Sequence, residues 1–175
     1  MVLPVPLPAG LYAGVKGVQI VHRLRMGDPE TDHRGFESNV AAFVLRPRIE
    51  NGPAIDPGDV LDLVETEEEI EGTMVPFRAG RLRIRFEPRV ARGQRVAVLL
   101  NETGAAAGAE THAYVFPAPA GNGLDANVVD TRTMDVPFSR VVAGTYLVRV
   151  RVDGAESVLD QDGDGRYAWP RVVLP

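Results

Sequence analysis

The sequence predicts an all-β protein with an immunoglobulin-like β-sandwich, and three observations carry that expectation. Short apolar stretches recur at roughly ten-residue spacing, with apolar and polar residues alternating at a period of two. Eighteen Gly and fourteen Pro fall between them, which suits tight turns between short strands. Nowhere does an amphipathic helical pattern interrupt the series. The expected architecture is one complete unit preceded by the last strands of a second, incomplete unit.

That division comes from an internal repeat. Residues 13–22 read Ala13-Gly-Val-Lys-Gly-Val-Gln-Ile-Val-His22, and residues 143–152 read Ala143-Gly-Thr-Tyr-Leu-Val-Arg-Val-Arg-Val152. Each copy is followed by a Glu-Ser pair, Glu37-Ser38 and Glu156-Ser157, and then by Pro-Arg and a β-branched residue, Pro47-Arg48-Ile49 and Pro170-Arg171-Val172. Self-similarity of this kind marks tandem modules. The second copy closes a run of roughly 115 residues, about the size of one sandwich domain. The first copy has almost nothing before it. Residues 1–50 therefore read as an incomplete unit, 51–57 as a linker and 58–175 as a complete sandwich.

The elements follow in order. Residues 15–22 form the first strand candidate, with Val18, Ile20 and His22 on one face. The charged, Gly- and Pro-containing stretch 23–36 reads as a long connection. Residues 40–46 are nearly continuous in apolar character, as in a strand buried on both faces. Two or three such strands cannot bury a core alone, so the segment calls for a partner, which is the missing upstream half, another chain or the following domain. Phe43 and Val44 are the residues expected to be buried at that contact, whether against the complete domain or by strand addition. In the second unit, residues 60–64 start a strand that runs into Glu65, Glu67, Glu68, Glu69 and Glu71, like charges that prefer a solvated loop or edge. Residues 81–86 alternate cleanly, Leu82, Ile84 and Phe86 inward and Arg81, Arg83 and Arg85 outward. Residues 94–100, 113–117, 134–138, 144–152 and 171–174 supply the remaining strands. The predicted core includes Val96, Val98, Leu100, Tyr146, Val148 and Val150.

Composition narrows the function classes. Of 175 residues, 45% are hydrophobic and the formal charge is −5. Eighteen of the nineteen basic residues are Arg, scattered along the chain, and this is no nucleic-acid footprint. No cysteine is present, which excludes disulfides and thiolate metal sites. The start, residues 1–8, is interrupted by Pro and lacks a basic region, so it reads as a poor signal peptide. No apolar run approaches the roughly 18 residues of a membrane span.

The motifs point away from catalysis. His22, His33 and His112 lack metal-ligand spacing. Ser38, Ser139 and Ser157 lie outside any Gly-x-Ser-x-Gly. The sharpest local pattern is Asp160-Gln-Asp162-Gly-Asp164-Gly165. Carboxylates at alternate positions before a glycine can converge on one Ca²⁺, but position twelve of such a loop is Arg171 and the flanks are strands. A polar hairpin turn is the reading those flanks favour. A Ca²⁺-assisted carbohydrate or cell-surface binding module stands as the alternative function on the strength of Asp160, Asp162 and Asp164.

The repeat stretches also carry a resemblance. Residues 13–22, His33-Arg-Gly-Phe-Glu-Ser-Asn-Val-Ala-Ala-Phe-Val-Leu-Arg-Pro47, Arg81-Leu-Arg-Ile84, Gln94-Arg-Val-Ala-Val-Leu-Leu-Asn-Glu102, residues 143–157 and Pro170-Arg-Val172 resemble the carboxy-terminal half of the cap, or tail-terminator, proteins of phage-tail-like contractile injection systems. In that family an amino-terminal domain docks on the tube and sheath end, and immunoglobulin-like units follow it in some members. This sequence departs from the pattern in lacking the docking domain. The resemblance implies a non-catalytic structural module and partners among sheath, tube or cap components, with homo-oligomers also compatible. It further implies a cytoplasmic protein assembled into or released with a particle, no cofactor and no catalytic residues.

Overall fold

The computed structural model describes residues 8, 10–104 and 110–175. The Pro-interrupted start, apart from Pro8, and residues 105–109 of the Gly/Ala loop lie outside the described residues. Fifteen strands run in order: β1 (Gly14–Val18), β2 (Val21–Met26), β3 (Thr31–Glu37), β4 (Ala41–Leu45), β5 (Arg48–Ile49), β6 (Val60–Ile70), β7 (Thr73–Ala91), β8 (Val96–Thr103), β9 (Ala113–Pro117), β10 (Asp130–Val141), β11 (Gly144–Val152), β12 (Ala155–Glu156), β13 (Asp160–Gln161), β14 (Tyr167–Trp169) and β15 (Arg171–Leu174). Two short 3-10 turns, Pro57–Asp59 and Ala120–Gly123, are the only helical elements among the described residues.

Two sheets make the sandwich. In one, β7 lies between β10 on one side and β5 and β6 on the other. In the other, β11 and β8 are central, β9 lies along β8, and β12 and β15 lie along the far side of β11. Period-two alternation puts Leu82, Ile84, Phe86 and Val90 of β7 and Met134, Val136 and Phe138 of β10 against Val96, Val98 and Leu100 of β8 and Tyr146, Val148, Val150 and Val152 of β11. Each of the nine core residues expected from the sequence is buried. Burial pushes the Tyr146 phenol well above its ordinary pKa, and its hydroxyl donates to the carbonyl of Val142 at 2.6 Å.

The outer face of β7 is an ion-pair ladder. Arg81 donates to Asp62 at 2.9 Å, Arg83 grips Asp135 with two hydrogen bonds of 2.7 and 2.8 Å, and Arg85 forks onto Asp59. The Asp135 carboxyl is held below the usual carboxylate range, chiefly by the hydrogen bonds from Arg83, with desolvation opposing. Its folded-state pKa therefore lies below the unfolded value of about 3.9, so its stabilisation is complete above that pH and is lost as the pH falls through the folded value. Denaturation midpoints are expected to fall on acidification below about pH 4, and Asp135→Asn is expected to flatten that slope. An unchanged slope in the variant removes Asp135 from the acid response.

Residues 51–57, the expected linker, make specific contacts with both sheets. The Asn51 amide donates to Asp59 and to the Arg83 carbonyl, both at 2.9 Å, and its side-chain oxygen accepts from the Arg85 backbone N–H at 2.7 Å. With the Glu50 N–H, which donates to the Arg85 carbonyl, this side chain continues the hydrogen bonding between β5 and β6 on the edge of β7 away from β10. On the other sheet, Ile55 N–H donates to the Arg171 carbonyl and Arg171 N–H to the Pro53 carbonyl.

Three expectations about strands are corrected. The stretch 15–22 is two strands, because pairing with β4 ends at Val18 and Ile20 is held by Ser38 instead. The expected connection 23–36 is most of a hairpin, β2 against β3. The strand expected to be buried on both faces, β4, is exposed along most of its length, since among the described residues β1 is its only strand partner and no second sheet lies over it. The glutamate cluster sits on the outer half of β6, an edge whose only strand neighbour among the described residues is β7, as the expected solvated loop or edge requires. There Glu65 pairs with Arg78 and Glu68 with Arg140, each at 3.0 Å.

Candidate functional site

The strand pair β1–β4 repeats the end of the sandwich, contact for contact, without the sandwich around it. Gly14 pairs with Leu45 as Gly144 pairs with Leu174, and Lys16 with Phe43 as Tyr146 with Val172. Past the strand, Ile20 N–H donates to the Ser38 hydroxyl at 3.0 Å while Ser38 N–H donates to the Ile20 carbonyl at 2.9 Å. Val150 and Ser157 form the same double bond, at 3.0 and 2.8 Å. Gln19 reaches Glu37 as Arg149 reaches Glu156. The repeated Glu-Ser pairs thus have a physical reason: the serine closes the strand's backbone hydrogen bonding and the glutamate holds the residue before it.

What differs is the cover. β11 carries β8 along its second edge and faces the opposite sheet. The corresponding edge of β1 has no strand among the described residues, and its apolar side chains face solvent. Ile20 is 72% exposed where its counterpart Val150 is 0%. Phe43 and Val44, expected to be buried against the complete domain or by strand addition, are 36% and 53% exposed, so the chain's own sandwich does not cover them. Val44 borders a cleft with Arg46, Arg149 and Tyr167. Unpaired strand edges with apolar side chains are templates for pairing with another chain.

The pair is anchored at one end of the sandwich. Ala13 is buried in the core, and its carbonyl accepts from the Gln94 amide at 2.8 Å. Gly14 follows with φ +117, a conformation that glycine adopts without strain as the chain leaves the core. Tyr12 donates to Asp130 at 2.9 Å. The hydrogen bonds from Arg89 first, then from Tyr12, hold the Asp130 carboxyl below its usual range. None of these anchors carries a sequence motif. Gln94 and Asn51 are lone amides in turn-like surroundings, and only the repeat could have signalled Ser38.

The candidate Ca²⁺ residues are not assembled into a site. Asp160 lies in β13, paired with Trp169. The Asp162 carboxylate accepts the backbone N–H of Asp164 and of Arg166, both at 2.9 Å, and so is used within the turn. Among the described residues, no group of three or more His, Cys, Asp or Glu is placed to hold a metal ion. His112 Nδ1 lies 2.7 Å from Glu102, whose carboxyl is held below its usual range by the side-chain and backbone hydrogen bonds of His112. His22 and His33 are exposed on the β2–β3 hairpin. A cleft of about 820 Å³ opens beside Arg92, Arg95, Pro117, Pro119, Arg151 and Asp153, and no serine, histidine or carboxylate pair lines it. No helix among the described residues is long and apolar enough to cross a membrane.

Residues 53–173 match the family described as Domain of unknown function (DUF8756), and the chain belongs to that family. No curated protein and no solved structure matches the chain. The family match spans β6 to β15, leaving the β1–β4 pair ahead of it.

Proposed function

We propose that this member of the DUF8756 family is a non-catalytic assembly module of a phage-tail-like contractile injection particle, docking through β1–β4. The observation that carries the reading is the strand pair itself: a copy of the sandwich's closing strands, with the apolar residues that the sandwich buries left open at Val18, Ile20 and Phe43. Such strands gain a ladder and a buried face only by pairing with another chain. The particle is suggested by the resemblance of residues 13–22, 33–47, 94–102 and 143–157 to cap and tail-terminator proteins, whose immunoglobulin-like units supply the analogy for this sandwich. On this reading the protein is made in the cytoplasm and built into the particle there.

The test is retrieval of the tagged full chain from native lysate. Sheath and tube proteins are expected to co-purify, and Phe43→Asp with Val44→Asp is expected to release them, because a charge in an apolar contact is strongly unfavourable. Retrieval without particle proteins, or retrieval that the double variant leaves unchanged, overturns the proposal.

A further inference from the structure

We infer that the partner of the open β1 edge is a second copy of this chain, which presents its β6–β7 hairpin so that copies join head to tail. The inference rests on the assembly reading and names the partner. Among the described strands that have a single partner, and so an open edge, are β1 and the outer half of β6. Among the described residues, β1 pairs with β4 alone, and the outer half of β6, from Val64 to Ile70, pairs with β7 alone. Both expose unused backbone donors and acceptors. Both also expose apolar side chains, Val18, Ile20 and Phe43 at one site and Val64, Ile70 and Met74 at the other. The repeat shows that the β1 edge suits a strand, since the equivalent edge of β11 carries β8.

Placement makes the contact intermolecular. β1 leaves the sandwich beside Gln94, just past the end of β7, whereas the hairpin lies at the start of β7 near Thr73. Nineteen residues of β7 separate the two sites, a contour of roughly 60 Å at about 3.3 Å per residue. The two edges of one molecule therefore cannot meet, and the contact uses different surfaces on the two copies. A heterologous contact of this kind closes into a ring or continues as a filament.

Charge selects the hairpin as the complement. Residues 13–49 carry six basic side chains against four acidic ones, while residues 62–74 carry six acidic and no basic ones. Lys16 and Arg46 have no carboxylate within ion-pair distance among the described residues, and Glu67 and Glu69 have no basic partner there. Glu67 and Glu69 project to the same face of β6, and Lys16 shares a face with Phe43. Opposite charges at the two poles of an otherwise acidic chain steer the poles of different copies together and keep like poles apart.

Sedimentation of the purified full chain tests this. Species larger than the monomer are expected to grow with concentration and to diminish as salt rises. Lys16→Glu with Arg46→Glu, and separately Glu67→Lys with Glu69→Lys, are each expected to sediment as monomers, with circular dichroism and melting unchanged. Mixing the two double variants is expected to restore the larger species, because each then offers the other two complementary sites. A wild-type chain that stays monomeric at every concentration, variants that associate like wild type, or a mixture that stays monomeric overturns the inference. If the chain is monomeric yet still retrieves sheath and tube proteins, the self-association inference falls and the assembly reading stands.

Discussion

Phe86→Ala is expected to cost about 3–5 kcal/mol of folding free energy, while Phe43→Ala costs distinctly less, about 1 kcal/mol. The residues have the same side chain, and both sit on strands. Phe86 is 1% exposed, in a core formed by both sheets, so truncating it leaves a cavity that close-packed neighbours cannot refill. Phe43 is 36% exposed, on a strand pair that carries no second sheet among the described residues. Part of its surface already faces water, so truncation uncovers less apolar area than at Phe86 and leaves no closed cavity. Chemical denaturation of the two variants at the same protein concentration makes the comparison. Comparable losses would place Phe43 in the core and end its role as a docking residue. A small loss at Phe86 would mean that the sheets are not packed as described.

The contrast between these phenylalanines marks what could be read before the structure. Alternation locates strands and their inward faces well. The strands at 113–117, 144–152 and 171–174 end where their patterns end, and the apolar partners of Phe86 follow from period two. An apolar run says only that a surface wants cover, not whether the chain supplies it. Residues 40–46 read as doubly buried for that reason, although among the described residues β4 has one strand neighbour and no opposing sheet. The acidic run reads as a solvated loop or edge, and it lies on an edge. Glu65 to Glu69 repel one another, yet an edge strand exposed to water tolerates them, and β6 continues through Ile70. Contacts made by single side chains left no pattern to find. Asn51 stands in for three ladder partners, and nothing in Glu50-Asn51-Gly52 distinguishes it from an ordinary turn. At the candidate site, Phe43 and Val44 and the repeated Glu-Ser pair were legible. The open edge of β1 was legible only as a shortage of strands before it.

Removing residues 1–46 is expected to leave a folded sandwich and abolish association, whereas removing residues 1–52 is expected to destabilise the sandwich severely. The shorter deletion takes the Gln94 bond to the Ala13 carbonyl and the Tyr12 bond to Asp130, which at about 1 kcal/mol each amount to a modest loss. It keeps β5, with Ile49 packed on the core, and Asn51. The longer deletion takes both. Asp59, which is buried, then keeps only Arg85, while the Arg83 carbonyl and the Arg85 N–H are left without their Asn51 partner. Leaving buried polar groups unpaired costs about 1–3 kcal/mol apiece, and the loss of Ile49 adds to it. Denaturation midpoints and protease resistance of the two truncated chains read the difference, and sedimentation reads the association. If removal of residues 1–46 already unfolds the rest, β1–β4 is part of the structural core rather than an element held out for a partner. Its exposed valines and Phe43 would then need another explanation, and both the docking surface and the head-to-tail contact would be lost with it.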